Sequence, residues 1–224
     1  SGLLTPDHFQ FEGSRERILH LGLPGLHEQM DKPWNDDPNG WVTVLKSARA
    51  AGIKTNLEMC SLPAPRLFEV VSPCLGYLDY LIINDFEVAA LSQRPVRHDE
   101  DVDLRDCLAN AKDVFDRSSM ELLVVHFPRG AIAMQRGVDP LVTPSVAVPK
   151  EAIAGSNGAG DAFASGILYG IHQGWRLRDA LQLAHSAAAA SMRHIGTTDS
   201  IERWQDCLAL AKVYGSRAEL EFPA

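Results

Sequence analysis

Residues 154–163 read Ala-Gly-Ser-Asn-Gly-Ala-Gly-Asp-Ala-Phe, and no other stretch constrains the chain as much. Gly158 and Gly160 flank Ala159, Asp161 follows at once, and a helical pattern rich in small residues runs on to about Gln173. Glycines let a backbone turn sharply and let a ligand come close. A helix start leaves its first N–H groups unpaired and carries a partial positive charge, so it suits an anion. Asp161 falls in the first helical turn, beside whatever the amides hold. A carboxylate placed there is suited to taking a proton from a hydroxyl that attacks a bound phosphate.

The rest of the chain alternates short apolar runs with helical periodicity. Residues 18–22 read as a short buried strand, and Pro24, Gly25, Pro33 and the 38–40 Pro-Asn-Gly run mark a long loop after it. Trp41, Val44, Leu45, Ala48 and Ala51 share one helical face, which Gly52 terminates. Strands are predicted over 53–59, 77–84 and 121–127, with a short helix carrying Leu67, Val70, Val71 and Leu75. A helix starts at Asp85 and carries Glu87; residues 92–101 read as an exposed loop, and Leu104, Cys107, Leu108, Ala111 and Val114 form the next helical face. Residues 131–135 and 141–148 resemble a hairpin around the turn at 137–140. An alanine-rich helix is predicted from Leu177 to about His194. A last helix is predicted from Ser200 to Tyr214, with Asp199 and Glu202 at capping-box-like spacing. Continuously apolar strands between helices predict one α/β domain over residues 1–224, with a mainly parallel sheet covered on both faces.

Charge and composition narrow the partners. The net charge is −8 with no basic run, which argues against nucleic acid. No apolar run approaches the roughly 18–20 residues of a membrane span, and the first residues lack the basic and apolar segments of a signal peptide. The four cysteines are scattered without a Cys-x-x-Cys pair, which points away from zinc and disulfides and toward the cytoplasm. The eight histidines show no metal-ligand spacing.

Gly158-Ala159-Gly160-Asp161, taken with Asn84-Asp85-Phe86-Glu87 upstream, resembles the ribokinase/PfkB carbohydrate kinase family. That family carries the signature D-T-x-G-A-G-D before a small, apolar helix, and an N-x-x-E motif after a buried strand. Asn84 and Glu87 match the second motif, residues 158–161 match the latter half of the first, and the likeness runs in order over nearly the whole chain. It implies a ribokinase-like fold and transfer of phosphate from ATP to a sugar or nucleoside hydroxyl. The amides of Gly158, Ala159 and Gly160 would form the anion hole, Asp161 would be the base, and Glu87 with Asn84 would hold Mg2+ through water. Ser156, Asn157 and Gly130 join Asn84 and Glu87 as nucleotide contacts. Glu58 stands where the family usually carries a strand-end aspartate. A small-molecule sugar or nucleoside is the implied partner; nucleic acid and membrane are not, and a second copy of the chain is the one macromolecular partner left open.

Three departures accompany the likeness. Gly155 and Ser156 replace the aspartate and threonine that open the signature, which weakens the case for a monovalent-cation site. The turn that normally approaches the nucleotide phosphates appears as residues 125–130, where only Gly130 survives and Pro128 lacks an N–H donor. Family members also usually begin with a glycine-pair segment carrying most sugar contacts and a lid, so these residues are expected to be about the C-terminal two-thirds of such a kinase. A dinucleotide-binding oxidoreductase is disfavoured, because Gly155-x-x-Gly158-x-Gly160 reverses the order of its fingerprint. The alternative is a kinase-like protein that binds nucleotide with little or no catalysis; retention of Asp161 argues against it.

Overall fold

The computed structural model describes residues 2–97, 102–197 and 201–220. They divide into two compact units, the first holding residues up to 125 with 133–141, the second 126–132 and the chain from 142 onward. Among the described residues, six strands form one sheet in sequential order: β1 (Ile18–Leu21), β2 (Lys54–Leu57), β3 (Tyr80–Asn84), β4 (Leu122–Phe127), β5 (Gly130–Gln135) and β6 (Leu141–Pro144). β1 pairs parallel with β2, bringing His20 opposite Asn56, and β2 pairs parallel with β3. The short links β4–β5 and β5–β6 make the last strands hairpin partners; the β5–β6 pair is the one expected from 131–135 and 141–148, its second arm ending early at Pro144.

In the first unit, helix α1 (Gly40–Ala50) starts where the Asn39 side chain accepts the Val42 amide at 3.0 Å. It buries Trp41, Val44, Leu45 and Ala48 and ends at Gly52, whose φ of +78° lies in the left-handed region. Each fully buried leucine-sized side chain of this kind contributes about 1.5–3 kcal/mol. Trp41 keeps its indole N–H satisfied by Asp31 Oδ1 at 2.8 Å. Helices α2 (Ala64–Val71), α3 (Asp85–Ser92) and α4 (Leu104–Asp116) follow, the last capped by Asp103. Two expectations change here. β1 is an edge strand whose only buried residue is Leu21, because one side of it has no neighbouring strand. The segment after α3 is not wholly exposed either: Val96 is 7% exposed and completes the core.

In the second unit, α5 (Ala159–His172) packs closely on α6 (Leu177–Ser191). A β-carbon on Gly166 would lie 2.6 Å from the Ala184 α-carbon, and one on Gly170 would lie 2.5 Å from the Ala180 β-carbon. The small residues after Asp161 therefore serve helix packing. α6 ends a turn earlier than its periodicity predicts. Its Met192 carbonyl instead accepts the amides of Ala154 and Gly155 at 2.8 and 3.3 Å. Helix α7 (Trp204–Tyr214) likewise starts later than expected, at Trp204, after irregular residues 201–203. The expected cap residue Asp199 lies outside the described residues, and Glu202 pairs with Arg193 at 2.6 Å. Among the described residues the four cysteines are free thiols, and no helix is long and apolar enough to cross a membrane.

Candidate active site

The glycine-rich stretch lies wholly in the second unit and feeds α5. Gly158 is the residue before the helix, with φ +78° and ψ −1°. A side chain there meets two obstacles: the left-handed backbone, and Thr197, whose carbonyl oxygen and β-carbon would sit 2.8 and 3.0 Å from an added β-carbon. Behind the turn, Met192 holds residues 154 and 155 by backbone hydrogen bonds. Met192 and Thr197 are thus the platform of the turn. Sequence reasoning misses both, because each is far away along the chain and of unremarkable type.

No side chain caps α5. Of the three amides expected to face an anion, that of Ala159 turns inward and donates to the Ser156 carbonyl at 3.2 Å. Among the described residues, the amides of Gly158, Gly160 and Asp161 have no such partner. Asp161 occupies the first turn and is exposed, as are Ser156 and Asn157. The result is an accessible helix start with N–H donors, a nearby carboxylate, and no bulky side chain between them.

His126, at the end of β4, backs this turn. A β-carbon on Gly160 would lie 3.4 Å from its Cε1 and 3.7 Å from its Nε2. The imidazole stacks on Phe163 at 4.9 Å, Phe163 meets His185 edge-on at 5.1 Å, and His185 Nε2 is 2.9 Å from the Thr143 hydroxyl. Burial pushes the pKa of both histidines down to about 4; His126 adds to the effect at His185. Both rings are therefore neutral near pH 7.

Gly130 needs to be glycine for packing: a β-carbon would sit 2.3 Å from the Thr143 carbonyl oxygen and 2.5 Å from Leu220. That close approach of β5 to β6 accounts for the residue without a ligand.

Asn84 and Glu87 lie in the first unit, at the junction of β3 and α3. The Asn84 Oδ1 accepts the Glu87 amide at 2.9 Å, and Glu87 Oε2 accepts the Asn84 amide at 2.8 Å. This reciprocal capping box fixes both side chains at the carboxyl end of β3. They line one end of a cavity of about 800 Å3, whose apolar wall includes Leu62, Phe68, Phe86 and Val96. Among its lining residues none comes from the glycine-rich stretch. Glu58 sits at the end of β2, its carboxylate 3.0 Å from His20 Nε2, while His20 Nδ1 meets Asn56 Nδ2 at 2.7 Å.

Residues 34–204 match the profile of the pfkB family carbohydrate kinases. The adenosine kinase of Schizosaccharomyces pombe is 27% identical over 161 residues, covering 70% of this chain and 47% of that protein. The chain thus spans about half the length of this curated relative. The fold is that of 2-dehydro-3-deoxygluconokinase from Thermotoga maritima, at a TM-score of 0.73 and 16% identity over 94% of this chain and 66% of that one. Arabidopsis thaliana ribokinase, solved with ribose and ATP, gives 0.64 and 18% over 77% of this chain and 52% of that one.

Proposed function

We propose that this chain, which belongs to the pfkB family of carbohydrate kinases, transfers phosphate from ATP to a hydroxyl of a nucleoside or sugar. The observation that carries the reading is the α5 start: an uncapped helix entered through a left-handed glycine, with Asp161 in its first turn. Asp161 takes the proton of the attacking hydroxyl. The open amides of Gly158, Gly160 and Asp161 face the charge that develops on the transferred group, where one such donor is worth roughly 3–4 kcal/mol of barrier in other enzymes. Their direction is held by the Met192 and Thr197 platform, which costs no rearrangement during reaction.

The residues fit ATP and Mg2+. The turn that Gly158 makes is one that a β-carbon would block, as suits a phosphate lying close to backbone. Asn84 and Glu87 form an all-oxygen donor pair of the hard kind Mg2+ prefers, held rigid by their capping box and suited to contact through water. Mg2+ when bound neutralises phosphate charge. Ser156 and Asn157 lie in the turn as hydroxyl and amide donors to the nucleotide. We take the two units as one kinase domain, the C-terminal two-thirds or so of a ribokinase-like enzyme, acting in the cytoplasm, where scattered thiols stay reduced. A nucleoside is the first substrate to test, because curated relatives of the chain include adenosine kinases.

Asp161→Asn in the full protein should cut phosphoryl transfer about 10²–10⁴-fold, the usual weight of a positioned base, with ATP affinity nearly intact. Equal turnover in the variant would remove the base. ATP consumption against a panel of nucleosides and sugars, with Mg2+ present, tests the activity itself. Binding of ATP without turnover on any member would favour the non-catalytic alternative, for which Gly155 and Pro128 are the motive.

A further inference from the structure

We infer that His126 is a positioning residue for the first turn of α5, acting through the shape of its ring on Gly160 and Phe163. The inference rests on the assignment of Asp161 and the adjacent amides given above.

Three observations carry it. The Cε1–Nε2 edge of His126 is the nearest group to the side of Gly160 from which a β-carbon would project, at 3.4 Å. The ring face lies on Phe163, two residues beyond Asp161 in the same helix, at 4.9 Å and tilted by 37°. Phe163 also meets His185 edge-on at 5.1 Å, and the Thr143 hydroxyl lies 2.9 Å from the His185 Nε2. An aromatic column thus runs from α6 through α5 to the end of β4. It touches the helix one residue before and two residues after the proposed base.

The character of the contact follows from what His126 lacks. Among the described residues no hydrogen bond reaches either of its ring nitrogens. Its pKa of about 4 leaves it uncharged near neutrality. Van der Waals contact and ring packing are what remain, and both depend on a flat ring rather than on a proton. A helix start with no side-chain cap has little of its own to fix the pitch of its first turn. An anion hole works only when its donors point at where charge develops, so a slack first turn costs rate more than binding.

Two substitutions in the full protein separate shape from chemistry. His126→Phe keeps a flat ring and loses both nitrogens; His126→Gln keeps length and polarity and loses the ring. The expected result is kcat within threefold of the parent for His126→Phe. For His126→Gln, kcat falls about tenfold with KM for ATP and for the hydroxyl substrate within twofold. A tenfold loss in His126→Phe at unchanged thermal midpoint overturns the inference, since a nitrogen would then be what matters. So does a His126→Gln enzyme with unchanged kcat. Asp161→Asn is run beside them: if it retains turnover, the base assignment falls and the positioning role falls with it, whereas an inactive Asp161→Asn with a fully active His126→Gln removes the positioning role alone.

Discussion

The starts of α3 and α5 are opposite solutions to the same problem. Both helices follow a turn that bears a family motif, and both have N–H groups to satisfy. At α3 the chain satisfies them itself: Asn84 and Glu87 cap each other's amides. At α5 it does not: the capping position is Gly158, with Ala159 and Gly160 next, and three amides stay open among the described residues. Lack of a side-chain cap is not the distinguishing mark, since α2, α6 and α7 also have none. What sets α5 apart is a left-handed glycine pressed on Thr197, where no β-carbon fits. One start is built to display side-chain oxygens, the other to display N–H groups. That is the division of labour a cation and a phosphate would require.

Gly158→Ala is the largest expected break in this contrast. The β-carbon meets the Thr197 carbonyl at 2.8 Å and the backbone must hold φ near +78°. The left-handed conformation alone costs about 1–2 kcal/mol in a non-glycine residue, and relieving the contact moves the amides. The expected outcome is a fall in kcat of about 100-fold or more, the scale of one lost oxyanion donor, with lower stability in urea unfolding. A variant of normal kcat would mean that the amides of this turn do not face the reacting group.

Acid should separate the two units next. His126 and His185 both belong to the second unit, and burial lowers each from 6.5 to about 4. Between those values the unfolded chain binds the protons and the folded chain does not. Stability is therefore complete above about pH 6.5 and is lost as the pH falls toward 4, on the order of 3 kcal/mol per histidine in full. Amide exchange at pH 7 and pH 5 is the check: amides of α5 and α6 should lose protection before those of α1 and α3. Equal loss in both units would show that the column does not govern the second unit's acid response.

Asn84→Ala should cost less, about 1 kcal/mol of stability for a lost cap. It should also raise the Mg2+ concentration for half-maximal rate severalfold, read by titrating Mg2+ at saturating ATP. Loss of stability without the Mg2+ shift would make the α3 start a cap and nothing more.

These contrasts also show how far the sequence reaches. The 3.6-residue periodicity around Trp41, the apolar runs predicted at 77–84 and 121–127 and the small-residue stripe after Asp161 follow from local chemistry, and each falls close to where it is expected, with β3 starting three residues late at Tyr80. The capping box of Asn84 and Glu87 is equally open to the sequence, since the spacing is that of a cap as well as of a family motif, but it is the structure that shows it. What is not legible depends on contacts distant in sequence. Met192 and Thr197 support the glycine turn through their backbone, which leaves no residue-type signal. The need for glycine at 130 comes from Thr143 on the next strand. β1 is apolar enough to read as buried, yet it lies at the sheet edge, because strand order is not written in any single strand.

The smallest expected effect separates two glycines of one stretch. Gly155 stands where relatives carry an aspartate, and unlike Gly158 it is held by nothing that demands glycine. A β-carbon there would lie 3.7 Å from the His194 carbonyl oxygen and from the Ile195 α-carbon, ordinary contact distances, and its φ is not in the left-handed region. Gly155→Asp should therefore fold with stability within about 0.5 kcal/mol of the parent, the usual range for a surface change. The fit of the β-carbon says nothing of where the carboxylate then acts, and the rate answers that. If the turn has kept the geometry of its relatives, the added carboxylate should raise kcat two- to fivefold and increase the response to potassium relative to the parent. A Gly155→Asp enzyme that folds normally but shows neither change would mean that the turn has diverged in geometry and not only in sequence, and that its open amides work without a neighbouring carboxylate at that position.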